Sequence, residues 1–146
     1  MQAELEIPNP ELATTITRLT AAAAVVGIAG ACVFTAYYDP VKASFFPVCP
    51  FYAITGFACP GCGLTRAFHA LFHGDWIVAL DFNILAPIWF VIIAYVWVSL
   101  LLTAIRGRGL PMWMTRPNFL WAFLIVLLVF GVLRNIPVWP LTILFP

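Results

Sequence analysis

The sequence predicts an all-α integral membrane protein of about three transmembrane helices, with a short amphipathic or re-entrant helix following a cysteine motif. Residues of the AVILMFWYC set make up 64% of the chain and charged residues only 9%, against about 25% charged residues in ordinary soluble domains. Mean hydropathy is +1.03. Three apolar stretches approach the roughly 20 residues that a helix needs to cross the hydrocarbon core. Thirteen Phe, six Trp and four Tyr exclude a disordered chain, and 146 residues fit a single membrane domain, 1–146.

The first expected span runs from 19 to 38 and is rich in small residues, with Ala21 to Ala24, Gly27 and Gly30, a composition that suits close helix packing in lipid. The second, 82–105, holds 24 residues without a charge. The third begins at 119, meets Arg134 and Asn135 after 15 residues, and is expected to continue to 139 while Arg134 snorkels to the interface. Orientation follows from Lys and Arg in the short connections. Arg106, Arg108 and Arg116 occupy a connection without acids, and Arg18 precedes the first span. This places the N-terminus inside and the long connection 39–81, with its cysteines, outside. The first charges are acidic, Glu4 and Glu6, so a cleaved signal with a positive n-region is not expected. Seven Lys plus Arg against six Asp plus Glu, with no basic run, exclude a surface that tracks a nucleic-acid backbone. The bilayer is the expected partner, together with other membrane subunits.

The chemistry concentrates in the outward connection. Three of the four cysteines and both histidines lie within residues 49–73. Cys59-Pro60-Gly61-Cys62-Gly63 has the form of a metal knuckle, a tight glycine-relieved turn that aims two thiolates at one point. Cys49 and His69 are near enough in sequence to complete a set of four ligands, and zinc is the ion such a set suits. An oxidising compartment equally allows a disulfide between Cys49 and either knuckle cysteine, and Cys59-x-x-Cys62 could instead be a redox pair. A helix from about Gly61 to His73, ended by Gly74, would put Cys62, Arg66, His69 and His73 on one narrow polar stripe. Arg66 would then brace the loop by bonding its carbonyls, or bind an anionic headgroup or substrate. Asp75 is expected to cap a further short helix at Trp76. Cys32, in mid-span, reads as a small packing residue.

The run Cys-Pro, Thr-Gly, Cys-Pro-Gly-Cys-Gly-x-Thr-Arg-Ala, then His-Gly-Asp and a later Asn, resembles the small bacterial membrane proteins grouped as domain of unknown function 2752. The resemblance covers about Cys49 to Pro87. It falls on Cys49, Thr55, Gly56, Cys59, Gly61, Cys62, Gly63, Thr65, Arg66, Ala67, Gly74, Asp75, Ala79 and Asn83. Asn83 is followed by Ile84 where the family pattern has proline. A multi-span protein of the bacterial cytoplasmic (inner) membrane is what the resemblance implies, with no activity attached. Thr65, Arg66 and His73 join the candidate binding residues.

No Gly-x-Ser-x-Gly, Walker loop or His-Glu-x-x-His is present, so no catalytic residue is assigned. The expected function is a non-enzymatic accessory or assembly subunit of a membrane complex, its cysteine loop stabilised by a disulfide or a metal. The alternative is a metal-binding or thiol-redox membrane protein. A weaker third reading is a small lipid-modifying enzyme built on Arg66.

Overall fold

A computed structural model describes residues 10–43, 46 and 49–139; Glu4 and Glu6 of the acidic lead-in lie outside them. Among the described residues the fold is all-helical: α1 (Pro10–Tyr37), α2 (Pro50–Thr55), α3 (Leu64–Phe72), α4 (Trp76–Phe82), α5 (Ala86–Arg106), a 3-10 turn (Trp113–Thr115) and α6 (Pro117–Leu133). Two helical stretches, Thr14–Tyr37 and Ala86–Arg106, are long and apolar enough to cross a membrane, and α6 is a shorter apolar helix. Their large apolar side chains are mostly exposed, Val26, Val33, Val91 and Trp121 among them.

Each expected span shifts at a boundary for a local reason. α1 starts earlier than 19 because the polar lead-in is itself helical, with Thr20 Oγ1 bonding the Ile16 and Thr17 carbonyls. α5 starts after 82 because Asn83 makes a turn of its own: its Oδ1 accepts from the Leu85 amide at 2.9 Å and its carbonyl from the Ala86 amide at 2.9 Å. The third expected span is corrected most. α6 stops at Leu133, Arg134 and Asn135 form a turn, and 136–139 are not helical. Arg134 does not snorkel to an interface. It turns inward and is 1% exposed.

The chain forms two compact units. One comprises Met1–Ala31 with Ile93–Pro111. Here Arg18 donates to the last carbonyls of α5, Ala104 at 3.1 Å and Ile105 at 2.8 Å, satisfying acceptors that a helix C-terminus leaves bare. Trp97 Nε1 donates to the Val25 carbonyl at 3.1 Å. Buried Ser99 accepts the Leu110 amide on its hydroxyl at 3.0 Å, folding the chain after α5 back along that helix. Gly27 and Gly30 have open space where a side chain would stand.

The other unit comprises Cys32–Ile92 with Met112–Pro146 and carries the cysteines. Its core is small-residue packing between α3, α4 and the start of α5: Ala67, Ala70, Leu71, Ala79 and Ala86, with Leu64, Phe68, Phe82 and Phe90 against them. Ala67 and Ala79 are fully buried, so any larger side chain would part the two helices. The sharp reversal between them is a Schellman motif. Gly74 takes φ +83°, its amide bonds Leu71 O at 3.1 Å, and the Asp75 amide bonds Ala70 O at 2.9 Å. Asp75 occupies the expected cap position of α4 but without a side-chain capping bond; its backbone carbonyl accepts from Ala79 instead.

A three-thiol centre held by buried amides and one arginine

The loop from Cys49 to Gly63 folds back on itself in two turns. α2 is ended by Gly56 at φ +72°, whose amide bonds Tyr52 O at 2.9 Å, while Thr55 Oγ1 donates to Phe51 O at 2.7 Å and accepts from the Phe57 amide at 3.2 Å. The Thr-Gly pair thus returns the chain to where α2 began. The second turn is the knuckle. The Cys62 amide bonds Cys59 O at 3.0 Å, the Cys59 amide donates to Cys62 Sγ at 3.2 Å, and Gly63 takes φ +81° before α3 starts. A residue with a Cβ would be strained there.

These turns bring Cys49, Cys59 and Cys62 into one group, with all three sulfurs within 4.8 Å of one another. Cys59 is central, its Sγ 3.3 Å from that of Cys49 and 3.0 Å from that of Cys62. All four cysteines of the chain are free thiols, so the disulfide of the sequence reading is absent. Cys32 stands outside the group. Tetrahedral zinc at a Zn–S distance of about 2.3 Å separates its sulfurs by about 3.8 Å. A small adjustment of the observed spacings meets that requirement, and the donor set fits a thiophilic ion.

The three thiols are electrostatically unequal. The Tyr52 backbone amide, then the Cys59 thiol, hold Cys49 below the ordinary thiol range. Burial, then the Cys59 thiol, push Cys62 up to about 12. In the metal-free group a negative charge is therefore favoured on Cys49 over Cys62. At neutral pH iodoacetamide should label Cys49 first and Cys62 last, because the thiolate is the reacting form. Peptide mapping at successive times checks this, and Cys62 labelled ahead of Cys49 would contradict the assignment.

Around the thiols the backbone carbonyls are tied down from two distant parts of the chain. Asn83, 1% exposed, donates from Nδ2 to Pro60 O at 3.0 Å and Cys62 O at 3.1 Å. Arg134 donates from one Nη1 to Cys59 O at 2.8 Å and Cys62 O at 3.2 Å, with its guanidinium 5.0 Å from the Phe130 ring centroid. Asn135 pairs with the backbone of Ala58 in both directions, accepting its amide and donating to its carbonyl at 2.8 Å each, and also donates to Gly131 O at 2.7 Å. At Gly131 a Cβ would stand 3.1 Å from Pro60 Cγ, so the absent side chain lets the knuckle proline seat on α6.

The expected polar stripe is not one face. Cys62 belongs to the knuckle ahead of α3. Arg66 is exposed and its guanidinium lies 6.0 Å from the Phe82 ring centroid; the carbonyl bracing expected of it comes from Arg134. His69 Nδ1 is 2.8 Å from Thr35 O and His73 Nε2 is 3.1 Å from Ala36 O, with ring centroids 4.5 Å apart. Both imidazoles thus serve the last turn of α1. The histidine expected as fourth ligand is engaged there, and the metal-capable group consists of the three cysteines. Thr65 is exposed at the start of α3. Arg134 and Asn135 were missed in the sequence. Their signal is a charged residue and an amide ending a short apolar helix, in a chain whose knuckle presents carbonyls in need of donors.

An all-helical protein with two membrane-length helices and a braced three-thiol centre is the class that fold and site define. Residues 49–97 match the family model described as "Protein of unknown function (DUF2752)", so the segment from the first cluster thiol into α5 bears out the resemblance read from its motif. No curated protein and no solved structure matches the chain.

Proposed function

We propose that this chain is a multi-pass membrane protein whose cysteine centre holds one thiophilic metal ion, zinc by preference, as the rigid core of an extracytoplasmic docking loop, and that it acts as a non-enzymatic accessory or assembly subunit of a membrane complex. The observation that carries the metal reading is the convergence of Cys49, Cys59 and Cys62 within 4.8 Å on a backbone braced at the carbonyls of Ala58, Cys59, Pro60 and Cys62. Preorganised donors lose little freedom on binding, and zinc supplies no redox chemistry of its own. Three protein donors leave the fourth tetrahedral position to water or to a donor from a partner.

The bacterial cytoplasmic membrane and the inside-to-outside orientation belong to the same proposal. Their support is that Arg18 bonds the last turn of α5, which ends at Arg106, so the basic residues meet at one end of their unit, as the positive-inside rule requires of a cytoplasmic face. Purified full-length protein reconstituted with zinc should carry one ion, which slows alkylation of Cys49, Cys59 and Cys62 in the folded protein until a chelator is added. Folded protein that takes up no zinc, or whose alkylation rates are the same with and without zinc, would overturn the metal reading. Gly107→Cys, in a background lacking the four native cysteines, should resist impermeant thiol reagents in intact cells; labelling there would overturn the orientation.

A further inference from the structure

Arg134 carries more than a brace needs. Its side chain is 1% exposed, and a guanidinium stays protonated throughout the physiological range, so a full positive charge is enclosed beside the knuckle. One nitrogen, Nη1, makes both carbonyl bonds. The other two, Nε and Nη2, are buried without a hydrogen-bond partner among the described residues. A bracing role alone accounts for neither the charge nor these two donors, since leaving buried donors bare is unfavourable. The residues that Nη1 grips are Cys59 and Cys62 themselves, so the guanidinium is fixed against the two knuckle cysteines, and the Phe130 face covers it from another side. The salt bridge of the described residues is Lys42 with Asp39; no carboxylate is paired with Arg134 there.

We propose that Arg134 is the built-in counter-charge of the three-thiolate metal centre, making the enclosed site neutral when it holds a divalent ion. This rests on the metal reading above and extends it to the charge class of the ion. On loading, one divalent ion enters, three metal–sulfur bonds form and three S–H hydrogens leave as protons to solvent; no electron is transferred. The resulting unit carries a net charge of minus one, which Arg134 cancels. A monovalent ion on the same three thiolates would leave a negative charge uncompensated in a poorly solvated site. Without Arg134, a divalent ion reaches neutrality on two thiolates with the third thiol still protonated.

The test uses the full chain in detergent micelles and Co2+ as the probe, with wild type, Arg134→Lys and Arg134→Gln compared. Helix content by circular dichroism confirms that each variant is folded. Co2+ affinity comes from the sulfur-to-cobalt absorption band, and the hydrogens displaced per ion come from the protons released into a weakly buffered solution at a pH where the free thiols are protonated. Wild type and Arg134→Lys should each lose three hydrogens per Co2+. Arg134→Gln, which keeps a donor for the carbonyls and loses the charge, should lose two and bind about 10 to 100-fold more weakly, the range for groups that support a metal's ligands. If Arg134→Gln does not fold, the Lys variant decides: three hydrogens lost at near wild-type affinity supports the counter-charge, and failure to load refutes it. Equal affinity and three displaced hydrogens in Arg134→Gln, or equal weakening in both variants, would leave Arg134 a brace and sink the counter-charge while the metal reading stands. Wild type that takes up no Co2+ would remove the metal reading and this inference with it.

Discussion

Replacing Cys59 with serine should abolish Co2+ and Zn2+ uptake at concentrations that saturate the wild type, while Cys32→Ser leaves uptake unchanged. Cys59 Sγ lies 3.3 and 3.0 Å from the other two thiols, so its loss leaves the ion two of the three sulfur donors. The hydroxyl that replaces it is a hard ligand, unsuited to an ion chosen by thiolates. Serine is close in size and keeps the backbone amide that bonds Cys62 Sγ and the carbonyl that Arg134 grips, so the knuckle should retain its shape. Cobalt titration, read at the sulfur-to-cobalt band, separates the two variants directly. A stoichiometric cobalt–sulfur band in Cys59→Ser would show that the centre is not the ion's site.

The parts of this architecture that were legible in the sequence are those written in local pattern. An uncharged run such as 86–105 has only one stable form in lipid, because its backbone groups must bond one another, and α5 occupies it. The knuckle was legible because Cys-Pro-Gly-Cys-Gly encodes a turn by itself, through a proline and a left-handed Gly63. Helix boundaries were less so. A left-handed Gly63 separates Cys62 from α3, which starts at Leu64 rather than at the expected Gly61, and without Cys62 the four-residue stripe dissolves. Asp75 was read correctly as a boundary but its carboxylate was credited with a bond that the backbone makes.

What could not be read was the return of distant chain to the loop. Asn135 meets Ala58 and Arg134 meets Cys59 across 77 and 75 residues, and no periodicity links such positions. Arg66 attracted the bracing role because it is near the cysteines in sequence, yet its place on α3 turns it to the exposed side of that helix, over Phe82. The physical need was identified rightly: carbonyls of a tight turn beside apolar helices require donors. The residue that meets it was the other arginine, one whose apolar surroundings made it look like an anchor. Arg66→Ala should accordingly change stability by no more than about 0.5 kcal/mol, as surface substitutions do.

Asn83→Leu should destabilise the cysteine unit far more, and Asn83→Asp at least as much, although aspartate is the nearer isostere. Asn83 is enclosed at 1% exposure and acts in both senses: Nδ2 donates to Pro60 O and Cys62 O, and Oδ1 accepts from the Leu85 amide. Leucine has the same branching and no smaller volume, so none of its cost comes from a cavity. Its cost is the groups stranded. Cys62 O keeps Arg134 at 3.2 Å, but Pro60 O and the Leu85 amide lose these bonds, at about 1 to 3 kcal/mol for each buried group left unsatisfied. Aspartate keeps the acceptor for Leu85 and replaces the donor with an oxygen facing two carbonyl oxygens. As a carboxylate it is repelled and desolvated there; as a neutral acid it can reach only one of the two carbonyls. The donor role therefore ranks the variants as wild type, then leucine, with aspartate level with leucine or below it. A role confined to the turn at the start of α5 ranks aspartate close to wild type instead, since the Leu85 bond survives. Unfolding by denaturant titration in micelles, followed by circular dichroism, gives the order, and aspartate within about 0.5 kcal/mol of wild type, the surface range, would transfer Asn83 from the knuckle to the turn.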